Sequence, residues 1–188
     1  MKIILITLFY TIIPFLVFNQ IKSDYSYFES QANFKMERKD YLGAIQILNL
    51  ATQNYPDSES FHFLKGSARL AMNDFQSSIS DLTKAIEICK NGMSFYLKSD
   101  ERAKAAFEFL TSSYALRGYA KVRIEDNWGA ISDFDYVIQN SPNDAQTYYY
   151  RGLAKLILNQ RRDGCLDLSR AGELGYLEAY KQIKLNCH

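Results

Sequence analysis

Few side chains in this sequence could do chemistry. The 188 residues include three cysteines (Cys89, Cys165 and Cys187) and two histidines (His62 and His188). A metal site or an activated nucleophile would have to be assembled from these and from 21 Asp and Glu. Their spacing does not assemble them. The chain has no Cys-x-x-Cys, no His-Glu-x-x-His, no Gly-x-Ser-x-Gly and no glycine-rich phosphate loop. The acids are spread out and none stands apart as a base, so two carboxylates meeting in a groove is the one enzymatic alternative. The expectation is a non-catalytic protein with no cofactor and no metal. Lys and Arg total 22, a net charge of +1. Such a balance creates no field to hold nucleic acid or an anionic membrane, and neither is expected as a partner. A small-molecule substrate is not expected either.

The elements that would position a site begin after an atypical segment. Met1 to Phe18 carries one charge, Lys2, then a dense apolar run through Ile12-Ile13-Pro14-Phe15 to Phe18. A basic tip and about 16 apolar residues match a secretory signal, and the run is short for a membrane span of about 20 residues. Residues 1–23 therefore read as a signal peptide or, if uncleaved, as an N-terminal anchor to the inner membrane through residues 3–18. Both place the rest outside the cytoplasm, periplasmic or secreted. Cutting after Ser23 removes Lys2 and Lys22 and no acid, leaving a net charge of −1.

The remainder repeats. Tyr114-Ala-Leu-Arg-Gly-Tyr-Ala-Lys-Val returns 34 residues later as Tyr148-Tyr-Tyr-Arg-Gly-Leu-Ala-Lys-Leu, and His62-Phe-Leu-Lys-Gly-Ser-Ala-Arg-Leu precedes both. A second block recurs as Asp40-Tyr-Leu-Gly-Ala-Ile, Asp74-Phe-Gln-Ser-Ser-Ile and Asp126-Asn-Trp-Gly-Ala-Ile. The step is 34 from Asp40 to Asp74 and 52 from Asp74 to Asp126, which leaves an 18-residue insertion.

These residues resemble the tetratricopeptide repeat (TPR) family, in which each 34-residue unit is a pair of antiparallel helices. The small residue eight positions in is Ala32, Gly66, Gly118 and Gly152. Position 20 holds Ala44, Ser78, Ala130 and Gly164, and position 27 holds Ala51, Ala85, Val137 and Ala171. The closing proline is Pro56 and Pro142 but Lys90 and Tyr176 in the other two units, and Lys35 replaces an aromatic in the first. The resemblance implies an all-α, right-handed α-solenoid of about four TPR hairpins with a C-terminal capping helix. Residues 24–178 form the repeat domain, with units 25–58, 59–92, 111–144 and 145–178, an insertion at 93–110 and the end of the cap at 179–188. The residues agree with it. Glycine or alanine at a crossing lets helix backbones approach closely, and a helix pair can bury its apolar stripe only by stacking. Asn91 to Lys98 reads as a loop, and the helix after it as one lengthened by two to three turns. His62 falls where the repeat places a core aromatic.

Three basic–acidic pairs lie 16 residues apart: Lys65 with Asp81, Arg117 with Asp133, and Arg151 with Asp167. They predict ion pairs between the two helices of units two, three and four that fix register, each contributing on the order of 1 kcal/mol at most. In the first unit Gln31 and Ile47 stand there, and both charges vanish together. Cys165 opens the last second helix and Cys187 closes the cap, so antiparallel packing allows either a disulfide or two free core thiols; Cys89 is left to the core. The resemblance further implies a concave groove lined by first helices. Its candidate residues are Asn33 and Met36, Phe63 and Leu70, Tyr119 and Arg123, and Tyr149, Leu153 and Ile157; for the last group, packing of Leu156 and its neighbours under the cap is the alternative. Glu29 stands where the family's chaperone-tail clamp has its first lysine. The expected function is a protein-interaction scaffold that binds a peptide or protein on its concave face in a bacterial envelope. A membrane-anchored assembly factor is the alternative.

Overall fold

The computed structural model describes residues 25–93 and 101–187. The signal or anchor expected at 1–23, part of the insertion and His188 lie outside the described residues. Nine helices are present among them: α1 (Tyr25–Glu37), α2 (Tyr41–Asn54), α3 (Glu59–Ala71), α4 (Phe75–Met93), α5 (Glu101–Arg123), α6 (Asn127–Asn140), α7 (Ala145–Ile157), α8 (Arg161–Glu173) and α9 (Glu178–Asn186). They pair as four successive hairpins with α9 packed on α8. First helices of neighbouring hairpins touch one another (α1 with α3, α3 with α5, α5 with α7), whereas among the described residues no two second helices make a comparable contact. Contact along one row and splay along the other curve the stack toward the first helices.

Each hairpin turns by one device. The residue after the first helix's C-cap sits in the left-handed region: Lys39 (φ 59°), Asn73 (62°), Glu125 (64°) and Asn159 (60°). The next amide reaches the carbonyl five residues back, as in Asp40 N–H to Lys35 O and Asp126 N–H to Lys121 O, both 2.9 Å. That bond satisfies a carbonyl the helix end would otherwise leave unpaired. The same residue then starts the second helix: Asp40 accepts from Gly43 N–H (3.0 Å), Asp74 from Ser77 N–H (3.3 Å) and Asp126 from Gly129 N–H (2.9 Å). Gln160 makes no such cap. Within the hairpins the small residues work as expected. A Cβ on Gly152 would stand 2.9 Å from the carbonyl oxygen of Gly164, and one on Gly118 would stand 2.7 Å from the Phe134 ring.

The three ion pairs form, and each acid collects a second cation. Arg117 holds Asp133 through Nε (2.9 Å) and Nη2 (2.7 Å), and Lys121 adds a contact at 2.9 Å. Arg151 holds Asp167 at 2.8 and 2.6 Å, with Lys155 at 2.7 Å. Lys65 and Arg69 meet Asp81 at 3.3 and 2.5 Å. Both arginines also reach back to the preceding hairpin, Arg117 to Thr83 Oγ1 (3.1 Å) and Arg151 to Asp135 (2.6 Å). Burial works against the charge on Arg117, but the hydrogen bonds and charge of Asp133 outweigh it and the net shift is upward. At Asp81 burial prevails, raising the carboxyl above its ordinary value despite Lys65 and Arg69.

Two expectations need correction. Asn91 and Gly92 do not open a loop: α4 continues to Met93, and the insertion lengthens α4 to 19 residues and α5 to 23 where the other hairpin helices have 13 or 14. Ile86 and Cys89 of α4 pack with Leu110 and Tyr114 of α5, and that burial overrides the local turn preference. The core aromatic of the second hairpin is Phe61, fully buried, and His62 beside it is only half-buried. The His62 Nε2 lies 3.1 Å from the Pro56 carbonyl, while Nδ1 is buried without a hydrogen bond.

Candidate functional site

Two clefts run side by side along the row of first helices. One, of about 310 Å³, lies between Leu70 of α3, Leu116 and Tyr119 of α5 and Tyr150 of α7, with Phe134 at its floor. The other, of about 490 Å³, lies between Phe63 of α3, Thr111 and Ser112 of α5, and Val137 and Ser141 behind them. Ala115, Leu116 and Asp144 line both, so the two are one groove crossing α3, α5 and α7. Apolar walls with a few polar groups suit an apolar side chain with its backbone held alongside.

The sequence candidates divide. Phe63, Leu70 and Tyr119 line the groove. The Phe63 ring packs on Phe109 at 5.0 Å, and Tyr119 meets Tyr150 edge-on at 5.0 Å. Arg123 is engaged within the chain: its guanidinium lies 4.5 Å from the Phe75 ring centroid and donates to the Tyr119 hydroxyl at 3.0 Å. Asn33 is exposed on α1 and lines neither cleft, and Met36 packs on the first hairpin's core. Ile157 is exposed and also lines neither. Tyr149 and Leu153 pack under the cap, with Tyr149 4.6 Å from Tyr176. Successive helical residues point about 100° apart, so the triplet Tyr148-Tyr149-Tyr150 fans out and the third member enters the groove. The signal for Tyr150 was in the repeats: it lies 34 residues after Leu116 and 86 after Leu64, so one register position is apolar in three units.

The groove is lined by apolar side chains and a few polar ones. Among the described residues no His or Cys lines either cleft. Its carboxylates are Glu108 and Asp144, and Asp144 accepts from Thr147 N–H at 3.0 Å as the cap of α7. Among the described residues no group of three His, Cys, Asp or Glu could hold a metal ion, and no helix is long and apolar enough to cross a membrane. At the far end Cys165 and Cys187 are bonded, with Cα atoms 5.7 Å apart. The Cys89 thiol is free and buried, and burial pushes its pKa up to about 11.

Stacked, capped hairpins whose first helices form a lined concave row define a helical-repeat solenoid. Its fold is that of the tetratricopeptide-repeat proteins, as solved structures show. The crystal structure of MamA superposes with a TM-score of 0.70 at 18% identity, covering 87% of this chain and 85% of that one. A chain of the APC/C hetero-tetramer Cut9-Hcn1 gives 0.70 at 16%, covering 86% of this chain and 29% of that one. The Rap conjugation gene regulator of plasmid pLS20, in complex with the Phr* peptide, gives 0.56 at 15%, covering 79% and 42%. No protein-family model matches the chain, and neither does any curated protein.

Proposed function

We propose that this chain is a protein-interaction scaffold that takes a peptide or protein segment in the groove crossing α3, α5 and α7, and that it works outside the cytoplasm in a bacterial envelope. The observation that carries the binding reading is the merging of two apolar clefts through Ala115, Leu116 and Asp144 into one groove spanning three hairpins. An extended segment needs such a continuous track. The pLS20 Rap regulator, of similar fold, has been solved in complex with a peptide, which supports the same use here. The basic and apolar start of the chain and the Cys165–Cys187 bond support export, since disulfides persist in oxidising compartments.

Selection of a displayed random-peptide library on the immobilised protein tests the binding reading. Selected peptides should lose at least about tenfold in affinity on Ser112→Arg or Gln146→Arg, exposed groove positions where a long cation blocks the track, and should be unaffected by Trp128→Ala on α6 outside it. Peptides indifferent to both groove changes would refute it. Recovery of the protein only from the cytosol, with Met1 as its first residue, would refute the location.

A further inference from the structure

The charge on the groove wall is one-sided. Glu108 and Asp144 line it, and among the described residues no Lys or Arg does. The acids between and behind the hairpins, Asp81, Asp133, Asp135 and Asp167, each have a cation within ion-pair distance. Glu108 and Asp144 have no ion-pair partner among the described residues. Other clefts differ in sign: the one beside the disulfide carries Arg161 and Arg162, the one beside His62 mixes Lys84 with Asp81 and Glu87, and the one at Tyr55 has Asp57 and Glu59 but does not join the track crossing three hairpins. Two carboxylates beside an apolar track favour a cation on whatever fills it, because charge complementarity both steers an occupant and rejects the opposite sign.

Resting on the scaffold reading above, we propose that the occupant is a peptide segment with two apolar side chains flanking a lysine or arginine. The order follows from the lining. One apolar side chain enters between Leu70, Tyr119 and Tyr150, and the other enters beside Phe63 and Val137. Asp144 borders both clefts, so the cation falls between the two anchors. Glu108 borders only the Phe63 side and receives a second positive charge, where present, beyond that anchor.

The test uses the full chain and three matched sets of synthetic peptides, apolar–x–Lys–x–apolar, the same with Gln, and the same with Glu, measured by fluorescence anisotropy at low and high salt. The lysine set should bind roughly tenfold more tightly than the glutamate set, the scale of one exposed attraction gained and one like-charge repulsion removed. The gap should narrow at high salt. It should collapse in the double variant Glu108→Gln, Asp144→Asn, in which asparagine still caps α7. Equal binding of all three sets, abolished by Ser112→Arg, would overturn the cation inference and leave the groove reading standing. Binding indifferent to Ser112→Arg and Gln146→Arg would overturn the groove reading itself. Absence of binding by every set would overturn the proposed motif, with library selection on the same protein deciding the groove separately.

Discussion

Reducing the bond between Cys165 and Cys187 should loosen the cap and leave the other hairpins in place. The bond closes a loop with a sequence separation of 22. Loop-closure entropy for that length is about 11 cal/mol/K, or about 3 kcal/mol at 25 °C. Packing on α8 and on Tyr149 and Leu153 of α7 is what remains to hold the cap. α9 has nine residues, too short to be stable alone, and it is held by Ala179 and Ile183 on Leu168 and Ala171 and by Arg161 Nε donating to the Asn186 carbonyl at 2.5 Å. A loss of about 3 kcal/mol multiplies the opening constant of the cap by roughly 150. Native-state hydrogen exchange read by mass spectrometry should therefore show that fall in protection over Ala179 to Ile183 in dithiothreitol or in Cys187→Ser. Amides of α2 to α4 should keep their protection, because repeats couple only to their neighbours. Thiol titration provides the control. The oxidised protein should show no fast-reacting thiol, since Cys89 is buried with its pKa raised to about 11, and one thiol on denaturation. Protection of α9 unchanged within threefold, with the bond shown to be broken, would refute the reasoning.

Other consequences are open to measurement. Gln160→Asn should stabilise the fold by about 1 kcal/mol in urea unfolding by supplying the cap that Asp40, Asp74 and Asp126 provide elsewhere; asparagine is chosen because Asp163 already places a negative charge in that first turn. Asp133→Asn should cost about 3 kcal/mol, because Arg117 and Lys121 would remain partly buried without a counter-charge. Asp81→Asn should cost less, because burial already outweighs its cations; equal losses would contradict that ordering. His62 is held below its ordinary pKa of 6.5, chiefly by burial, with Lys65 and Lys84 opposing protonation and Pro56 and Asp81 favouring it. A lowered folded-state value gives stability that is present above about pH 6.5 and lost as pH falls through the folded value. His62→Gln should remove that part of the decline between pH 7.5 and 5.5 in thermal melts, and an unchanged pH profile would show that His62 does not report its burial.

The hairpins were legible because their requirements are local. A small residue at each crossing and an acid opening the second helix recur in register, and Gly152, Gly118 and Asp126 act as their positions imply. The pairs at 16-residue spacing were legible for the same reason. Their second cations, Arg69, Lys121 and Lys155, stand one helical turn beyond the first and were overlooked, although that spacing puts both on one face. Features set by packing between hairpins were harder to read. Gly92 looks like a turn residue, yet it sits in α4 with open space where a Cβ would be, and what extends the helix is burial of Cys89 against α5. Tyr149 and Tyr150 are neighbours of the same type, and only the positions of α5 and the cap decide which one meets the groove.

The joints between hairpins are not alike in the kind of contact that makes them. Arg117 and Arg151 pin the third hairpin to the second and the fourth to the third through short, directional bonds. Between the first and second, rings of Tyr25, Phe28, Tyr55 and Phe61 pack on one another, and the Tyr25 hydroxyl lies 3.1 Å from that of Ser58. The first joint is thus held by non-directional apolar packing and the later two add directional bonds, so the register between neighbouring hairpins is set more sharply toward the C-terminal end.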